Sequence, residues 1–470
     1  MSQRFSLLRG HERALALCDQ GRFEAAWAKE QSPLLLGKGW IEGREVLFVF
    51  LDGHVRGGTI GVEEAAAVTG FLEKSLGANP NGSEPPLFLG LDTGGVRVEE
   101  GPRALAATSA AGVLLAEWSL RGSPMVALIS GPRGCFGAPS VMAALPDRLL
   151  MVEGSHWGLT GPKLFPAVQQ GVSETEGLSA TSASERWRRG TVDEVVPDDV
   201  AAVRDAILRS YRELTRLVRP RPRERLEQAA QWLGQQYLSW IGSGGKIAQP
   251  KRRRRDLLSY SFRHQWQPQE PISQAGLVQA AWGTLAGEPA LGIVVGPARD
   301  EREGIGIAEA HAIVKKLLRC FELPTGTYAT ILNFVFCQGH VVDLQQERIG
   351  LPRVLAECLR AYVAAKLSGH TIVSVLGGGT YGAAYLALAA PSYRIFAIRG
   401  TKVAPMAPAV LRAFQSFRRT STAPAPEQAL AERIPEVQIV ESIVRLPRAL
   451  KEALVEARAD EGKRPATHAA

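Results

Sequence analysis

Three runs of this chain place glycines where backbone amides could do chemistry. Asp92-Thr93-Gly94-Gly95-Val96-Arg97 follows an apolar stretch and precedes a segment that starts near Pro102. Adjacent glycines let the backbone turn sharply and present consecutive N–H donors at close range, with no Cβ in the way. Such a pair can bind an oxyanion. Gly131-Pro132-Arg133-Gly134-Cys135-Phe136-Gly137 does the same ahead of a helical pattern, whose dipole also favours negative charge. Gly377-Gly378-Gly379-Thr380-Tyr381-Gly382-Ala383-Ala384 is the third. No GxxxxGKS or GKT string occurs, and no GxGxxG opens the first strand-helix unit, which argues against phosphate-loop and dinucleotide chemistry.

Four side chains near these loops could take part, each with a structural alternative. Cys135 is either an acid or nucleophile or a small buried thiol filling space beside the glycines. Tyr381 could donate a proton or serve as an aromatic lid aligned with Phe136. His340 could be an acid or substrate contact, or a loop histidine. Arg97 could anchor a carboxylate or sit in an ion pair. No metal site is expected: the five cysteines (Cys18, Cys135, Cys320, Cys337, Cys358) contain no CxxC pair and suit reduced thiols in a cytoplasmic protein.

The elements that must position these loops occur twice. Ile60-Gly61-Val62-Glu63-Glu64-Ala65 matches Ile305-Gly306-Ile307-Ala308-Glu309-Ala310, and Phe136-Gly137-Ala138 matches Tyr381-Gly382-Ala383, both at an offset of 245 residues. Two matches in one register imply two copies of a domain. The same offset lays Asp92-Thr93-Gly94-Gly95 over Cys337-Gln338-Gly339-His340, so His340 is expected in place of the second glycine. Within each copy, short continuous apolar strands such as Leu87–Leu91 and Val126–Ser130 alternate with helical segments near 62–75 and 103–120. This pattern predicts a sheet covered on both faces, hence an α/β fold. A helix over about 6–30 is expected to precede the first strand pair, 39–42 and 46–50.

At 470 residues, 45% hydrophobic, the chain has room for two full cores, and no apolar stretch is long enough to span a membrane. The expected organisation is a first domain over 1–245, a basic linker over 246–274, a second domain over 275–456 and a flexible tail over 457–470. Much of the net charge of +8 sits in Arg219, Arg221, Arg223 and the run Lys251-Arg252-Arg253-Arg254-Arg255, between the copies. It reads as a solvated linker or a docking surface for an acidic partner; nucleic acid is not expected, because no aromatic interleaving accompanies the charges.

The run through Gly57-Gly58-Thr59-Ile60-Gly61, Asp92-Thr93-Gly94-Gly95-Val96-Arg97, Gly134-Cys135-Phe136-Gly137, Gly158-Leu159-Thr160-Gly161-Pro162 and Val192-Asp193-Glu194-Val195-Val196 resembles a carboxyltransferase of the crotonase superfamily. More narrowly it resembles the beta subunit of biotin-independent malonate decarboxylases. The second half, with Gly369-His370-Thr371-Ile372-Val373 and Tyr381-Gly382-Ala383-Ala384, resembles their gamma subunit, here in one chain with the first.

That resemblance implies two tandem crotonase-like domains and decarboxylation of a malonyl thioester to an acetyl thioester and carbon dioxide. It implies one oxyanion hole at Gly94 and Gly95 and another at Gly382 and Ala383, with Arg97, Gly134, Cys135, Phe136, Gly137, His340 and Tyr381 binding substrate. The substrate would arrive on the phosphopantetheine-type arm of an acyl carrier protein; no cofactor would be bound in the chain itself. An acyl-transferase subunit and a second copy of the two-domain chain are the further partners implied. Two other functions stay open: a biotin-dependent acyl-CoA carboxyltransferase, which would need biotin on a separate protein since no Met-Lys-Met string occurs, and a non-catalytic assembly subunit.

Overall fold

The computed structural model describes residues 3–78, 84–247, 266–296, 303–417, 430–442 and 445–461. The chain forms two α/β units whose sheets are flanked by helices, the architecture that the alternation of short apolar strands and helices predicts.

The first unit holds a seven-stranded sheet in which spatial order follows chain order: Phe23–Ala28, Leu34–Ile41, Arg44–Leu51, Leu87–Leu91, Met125–Ile129, Arg148–Val152 and Glu194–Val196. The first three strands pair antiparallel and the rest are parallel. Parallel neighbours require crossovers, and the helices Val62–Ala78 and Gly101–Arg121 supply two of them. Every residue of Leu87–Leu91 and Met125–Ile129 is buried, which is why these strands read as unbroken apolar runs. Phe48, Phe50 and Phe88 pack together in the core on one face, with ring centroids 5.4 to 5.8 Å apart.

The second unit holds an eight-stranded sheet whose main path is Trp266–Pro268, Val278–Leu285, Glu288–Val295, Thr330–Val335, Thr371–Leu376, Arg394–Ile398 and Val437–Val440. Its core gathers Phe334, Phe396, Val373 and Val375 with Leu446 and Leu450 from the helix Leu446–Glu461.

Three sequence expectations change. Residues 6–30 are not one helix: the helix is Gly10–Leu17, and Phe23–Ala28 is an edge strand. Gly37 makes that strand possible, because a Cβ there would lie 2.4 Å from the Phe23 ring. The division into units also falls elsewhere than at 245. The helix Pro222–Gly242 belongs with the second unit, where Tyr237 lies against His311 of the helix Ile307–Leu318 with centroids 5.8 Å apart. Conversely, Asp343–Ala356, far into the second half, belongs to the first unit. Third, part of the expected linker is strand, at Trp266–Pro268 and Ser273–Ala275. Residues 248–265, with the basic run 251–255, lie outside the described residues, as do 462–470 of the tail. Among the described residues no helix is long and apolar enough to cross a membrane.

Candidate active site

In the first unit the register Leu51↔Leu91↔Ile129 ends three parallel strands at one edge of the sheet, so their following loops leave together. Single-residue bridges then tie loop to loop: Ile60 to Val96 and Thr93 to Cys135. Cys135–Phe136 pairs in turn with Trp157–Gly158. The glycine loops are therefore layered on one another.

Asp92 is where three of these loops meet. Its fully buried carboxylate accepts the Arg133 N–H at 2.9 Å through Oδ1. A Cβ on Gly53 or Gly131 would come within 2.3 or 2.2 Å of Oδ2, so glycine is required at both places. Oδ2 makes no hydrogen bond among the described residues and lies 3.7 Å from Arg13 Nη2. Burial pushes the Asp92 carboxyl up to about 6, against the pull of the Arg13 charge.

The predicted donors differ in what their amides already do. The Gly94 N–H donates to Gly57 O at 2.9 Å. The Gly95 N–H donates to Thr93 Oγ1, a side-chain hydroxyl, at 3.1 Å. Gly95 has φ +112°, a conformation other residues seldom adopt, and a Cβ there would meet Phe136 O at 3.2 Å. Gly137 N–H donates to Leu159 O at 3.3 Å, and Gly134 O accepts from Thr93 N–H.

The second unit repeats this with a one-residue slip. Ile60 N–H donates to Gly95 O at 3.0 Å, and Ile305 N–H donates to Gly339 O at 2.9 Å. Gly339 has φ +125°, and its Cβ would meet Tyr381 O at 3.4 Å, as that of Gly95 meets Phe136 O. Gly339 is thus the counterpart of Gly95, one residue short of the repeat offset. His340 does not replace the second glycine; it follows it, as Val96 does in the first unit. The strand register Val295↔Val335 against Leu51↔Leu91 is the physical reason, since it starts the second loop one residue earlier.

Gly382 N–H donates to Ala404 O at 2.9 Å, the counterpart of Gly137 to Leu159. Ala383 begins the helical turn that follows, and the N–H of a first helical residue has no intrahelical acceptor.

The side chains fall into two groups. Arg97 is spent inside the fold: it donates to Glu64 at 3.0 Å, to Glu100 at 2.6 Å and to Thr59 O at 3.0 Å. Although burial works against the Glu64 charge, these Arg97 bonds hold its carboxyl below the ordinary value. In the second unit Val341 stands at the place of Arg97, and Glu309, the match of Glu64, accepts Leu277 N–H and Gly306 N–H instead. With no cation beside it among the described residues, burial pushes the Glu309 carboxyl up. Cys135 is buried, and desolvation raises its thiol well above the ordinary value, so it is not a thiolate. The buried Tyr381 ring packs against Gly379. His340 is half-buried, and desolvation pushes its imidazole down to about 4, so it is neutral at pH 7.

Sequence reasoning missed Glu347 and Arg186. Both are buried in the first unit, bonded at 2.8 Å, and Glu347 also accepts the Leu159 and Thr160 N–H groups at 3.1 and 3.3 Å. Their separation of 161 residues leaves no local signal. Among the described residues no cluster of His, Cys, Asp and Glu could hold a metal ion.

The chain is similar to several known proteins. Residues 20–230 match the family model of the carboxyl transferase domain. The malonyl-S-ACP:biotin-protein carboxyltransferase of Malonomonas rubra is 27% identical over 244 residues, covering 46% of this chain and 75% of that protein. The biotin-dependent acetyl-/propionyl-coenzyme A carboxylase beta6 subunit of Mycobacterium bovis is 23% identical over 404 residues, covering 83% of this chain and 77% of that protein. Among solved structures, a Pseudomonas malonate decarboxylase hetero-tetramer in complex with malonate is 26% identical, with a TM-score of 0.41, covering 45% of this chain and 84% of the matched chain. Over residues 20–230, a little under half of its length, the chain is thus similar to a carboxyl transferase domain.

Proposed function

We propose that this chain acts as a carboxyltransferase-type decarboxylase on a malonyl thioester carried by an acyl carrier protein through a phosphopantetheine-type arm. The bond between the carboxylate carbon and the α-carbon breaks, carbon dioxide leaves, and the electron pair stays on the thioester as an enolate. Protonation of the α-carbon then gives the acetyl thioester. The barrier lies in the negative charge growing on the thioester oxygen, which fixed N–H donors stabilise without metal or electron sink.

The observation that carries this reading is the pair of left-handed glycines, Gly95 and Gly339, each seated on the carbonyl of the residue before Gly137 or Gly382. In the first unit Gly95 is the donor, released when Thr93 Oγ1 turns away. In the second unit Ala383 is the donor. Gly94 and Gly382 build the walls of the two holes, because their amides are committed to Gly57 and Ala404. Gly134, Cys135, Phe136 and Gly137 shape the first hole. Tyr381 and neutral His340, beside the second-unit loops, are the side chains able to pass the proton. Arg97 holds its loop through Glu64 and Glu100 in place of touching substrate. An acyl-transferase subunit that loads the carrier and a second copy of the chain complete the proposed assembly.

A second reading has support of its own. The relative from Malonomonas rubra is named for transfer to a biotin protein, and the relative from Mycobacterium bovis, a biotin-dependent carboxylase subunit, matches across both units. In that reading the same enolate forms, and the carboxyl group passes to or from biotin on a separate protein. Carbon dioxide release from malonyl-carrier without biotin supports the first reading. Turnover only with a biotinylated acceptor supports the second, and no turnover with either leaves an assembly subunit.

A further inference from the structure

We propose that Glu347 is a positioning residue of the first unit: with Arg186 it fixes the backbone of Trp157–Thr160, on which the glycine loop Cys135–Gly137 rests. The proposal rests on the reading of that loop as one wall of the reacting site.

The geometry forms one continuous chain of bonds. Glu347 lies in the short helix Leu344–Ile349, which starts where Asp343 accepts the Gln346 N–H at 2.8 Å and ends at Gly350 with φ +94°. Its Oε1 accepts from Leu159 N–H and Arg186 Nη2, and its Oε2 from Thr160 N–H. Arg186 turns back onto the same strand, donating to Trp157 O through Nε at 3.0 Å and Nη2 at 2.7 Å, while Nη1 donates to Glu347 O. The guanidinium carbon also stands 5.2 Å from the centroid of the Trp157 ring. Trp157 and Gly158 pair with Cys135 and Phe136, and Leu159 O receives the Gly137 N–H. Trp157 Nε1 closes the circuit on Ser140 O at 2.9 Å, one turn into the helix that follows the loop. A Cβ on Gly158 would come within 2.9 Å of Glu347 Oε1, so the carboxylate and the strand are in direct contact.

Stability alone is a poor account of this pair. Taking two charges fully out of water costs much of what their attraction returns, and well-packed apolar residues do as well or better. An ion pair supplies what apolar residues cannot: a fixed acceptor for the Leu159 and Thr160 amides and a fixed donor for the Trp157 carbonyl that precedes them. A residue 188 positions beyond Leu159 thereby sets the place of a first-half loop.

The test uses the full chain in two variants, Glu347→Gln and the double replacement Arg186→Met with Glu347→Leu. It follows three readouts: thermal unfolding, amide hydrogen exchange, and kcat and KM on malonyl-carrier. Glu347→Gln leaves Arg186 buried and unpaired, so it melts below the natural protein. The double variant removes both charges and regains the melting temperature. Positioning nevertheless predicts that in both variants the amides of 135–137 and 157–160 exchange about tenfold faster or more relative to the core strand Met125–Ile129, a local loosening. It also predicts that kcat falls about 10²-fold while KM changes little, the cost of a small misplacement. A double variant with natural exchange at 135–137 and natural kcat overturns the proposal. If the double variant does not fold, Glu347→Gln decides through exchange: uniform acceleration across the first unit overturns positioning, and acceleration confined to the two segments supports it. If the natural chain turns over no malonyl thioester, the functional reading fails, and the exchange pattern still decides the role of Glu347.

Discussion

Gly95 and Gly339 are the same residue in two copies of one domain: each accepts an isoleucine N–H through its carbonyl, at 3.0 and 2.9 Å, and each takes a left-handed φ. The copies differ around them. Arg97 and Thr93 surround the first, and His340 follows the second, so the two loops are kept for one backbone shape and diverge in side chains.

Gly95→Val should slow turnover on the order of 10² or more, the loss expected when an oxyanion donor is displaced. A Cβ there starts 3.2 Å from Phe136 O in a backbone conformation that valine avoids, so the loop must move. Steady-state kinetics on malonyl-carrier checks this, with a natural rate counting against Gly95 as a donor.

Arg97→Met should destabilise the first unit by about 3 kcal/mol or more, because Glu64 stays buried without its cation. The remaining folded enzyme should keep its KM, since Arg97 already bonds Glu64, Glu100 and Thr59 O. Denaturant titration with kinetics separates the outcomes: a large rise in KM at unchanged stability would make Arg97 a substrate anchor.

Asp92→Asn should change how stability depends on pH. The Asp92 carboxyl is raised to about 6 when folded, from 3.8, so the group favours folding fully below its unfolded value and loses that contribution as pH rises through the folded value. The stability of the natural protein minus that of the variant should therefore fall by roughly 2 kcal/mol between pH 4 and pH 7. Denaturant titrations at several pH values give this difference directly, and a flat one would place the carboxyl in an ordinary environment.

Cys135→Ala should keep turnover within a few-fold, and native Cys135 should resist alkylation at pH 8. Its thiol is buried and raised well above the ordinary value, so little thiolate exists to react. Rapid loss of activity on alkylation at that residue would return it to the list of reacting groups.

The repeat, the α/β class and the glycine loops were legible because they rest on local pattern: apolar runs such as Leu87–Leu91 are buried on both faces, and glycines with positive φ mark the turns. Phe23–Ala28 was not, since a six-residue edge strand with mostly exposed residues has no continuous apolar signal. The slip between Gly95 and Gly339 was hidden because string matching slides whole segments, whereas strand pairing sets register residue by residue. The commitments of the Gly94 and Gly382 amides depend on Gly57 and Ala404, and the Glu347 pair joins residues 161 apart. Such partners are chosen by the fold and leave no mark in local spacing.

The central claim is that a backbone amide at the start of the second-unit helical turn stabilises the enolate. Ala383→Pro tests it most directly, because proline removes that N–H at a first helical position, where its ring is tolerated. The account predicts that carbon dioxide release from malonyl-carrier falls about 10²-fold or more while the melting temperature stays near that of the natural protein. Natural turnover from a folded Ala383→Pro protein would contradict it.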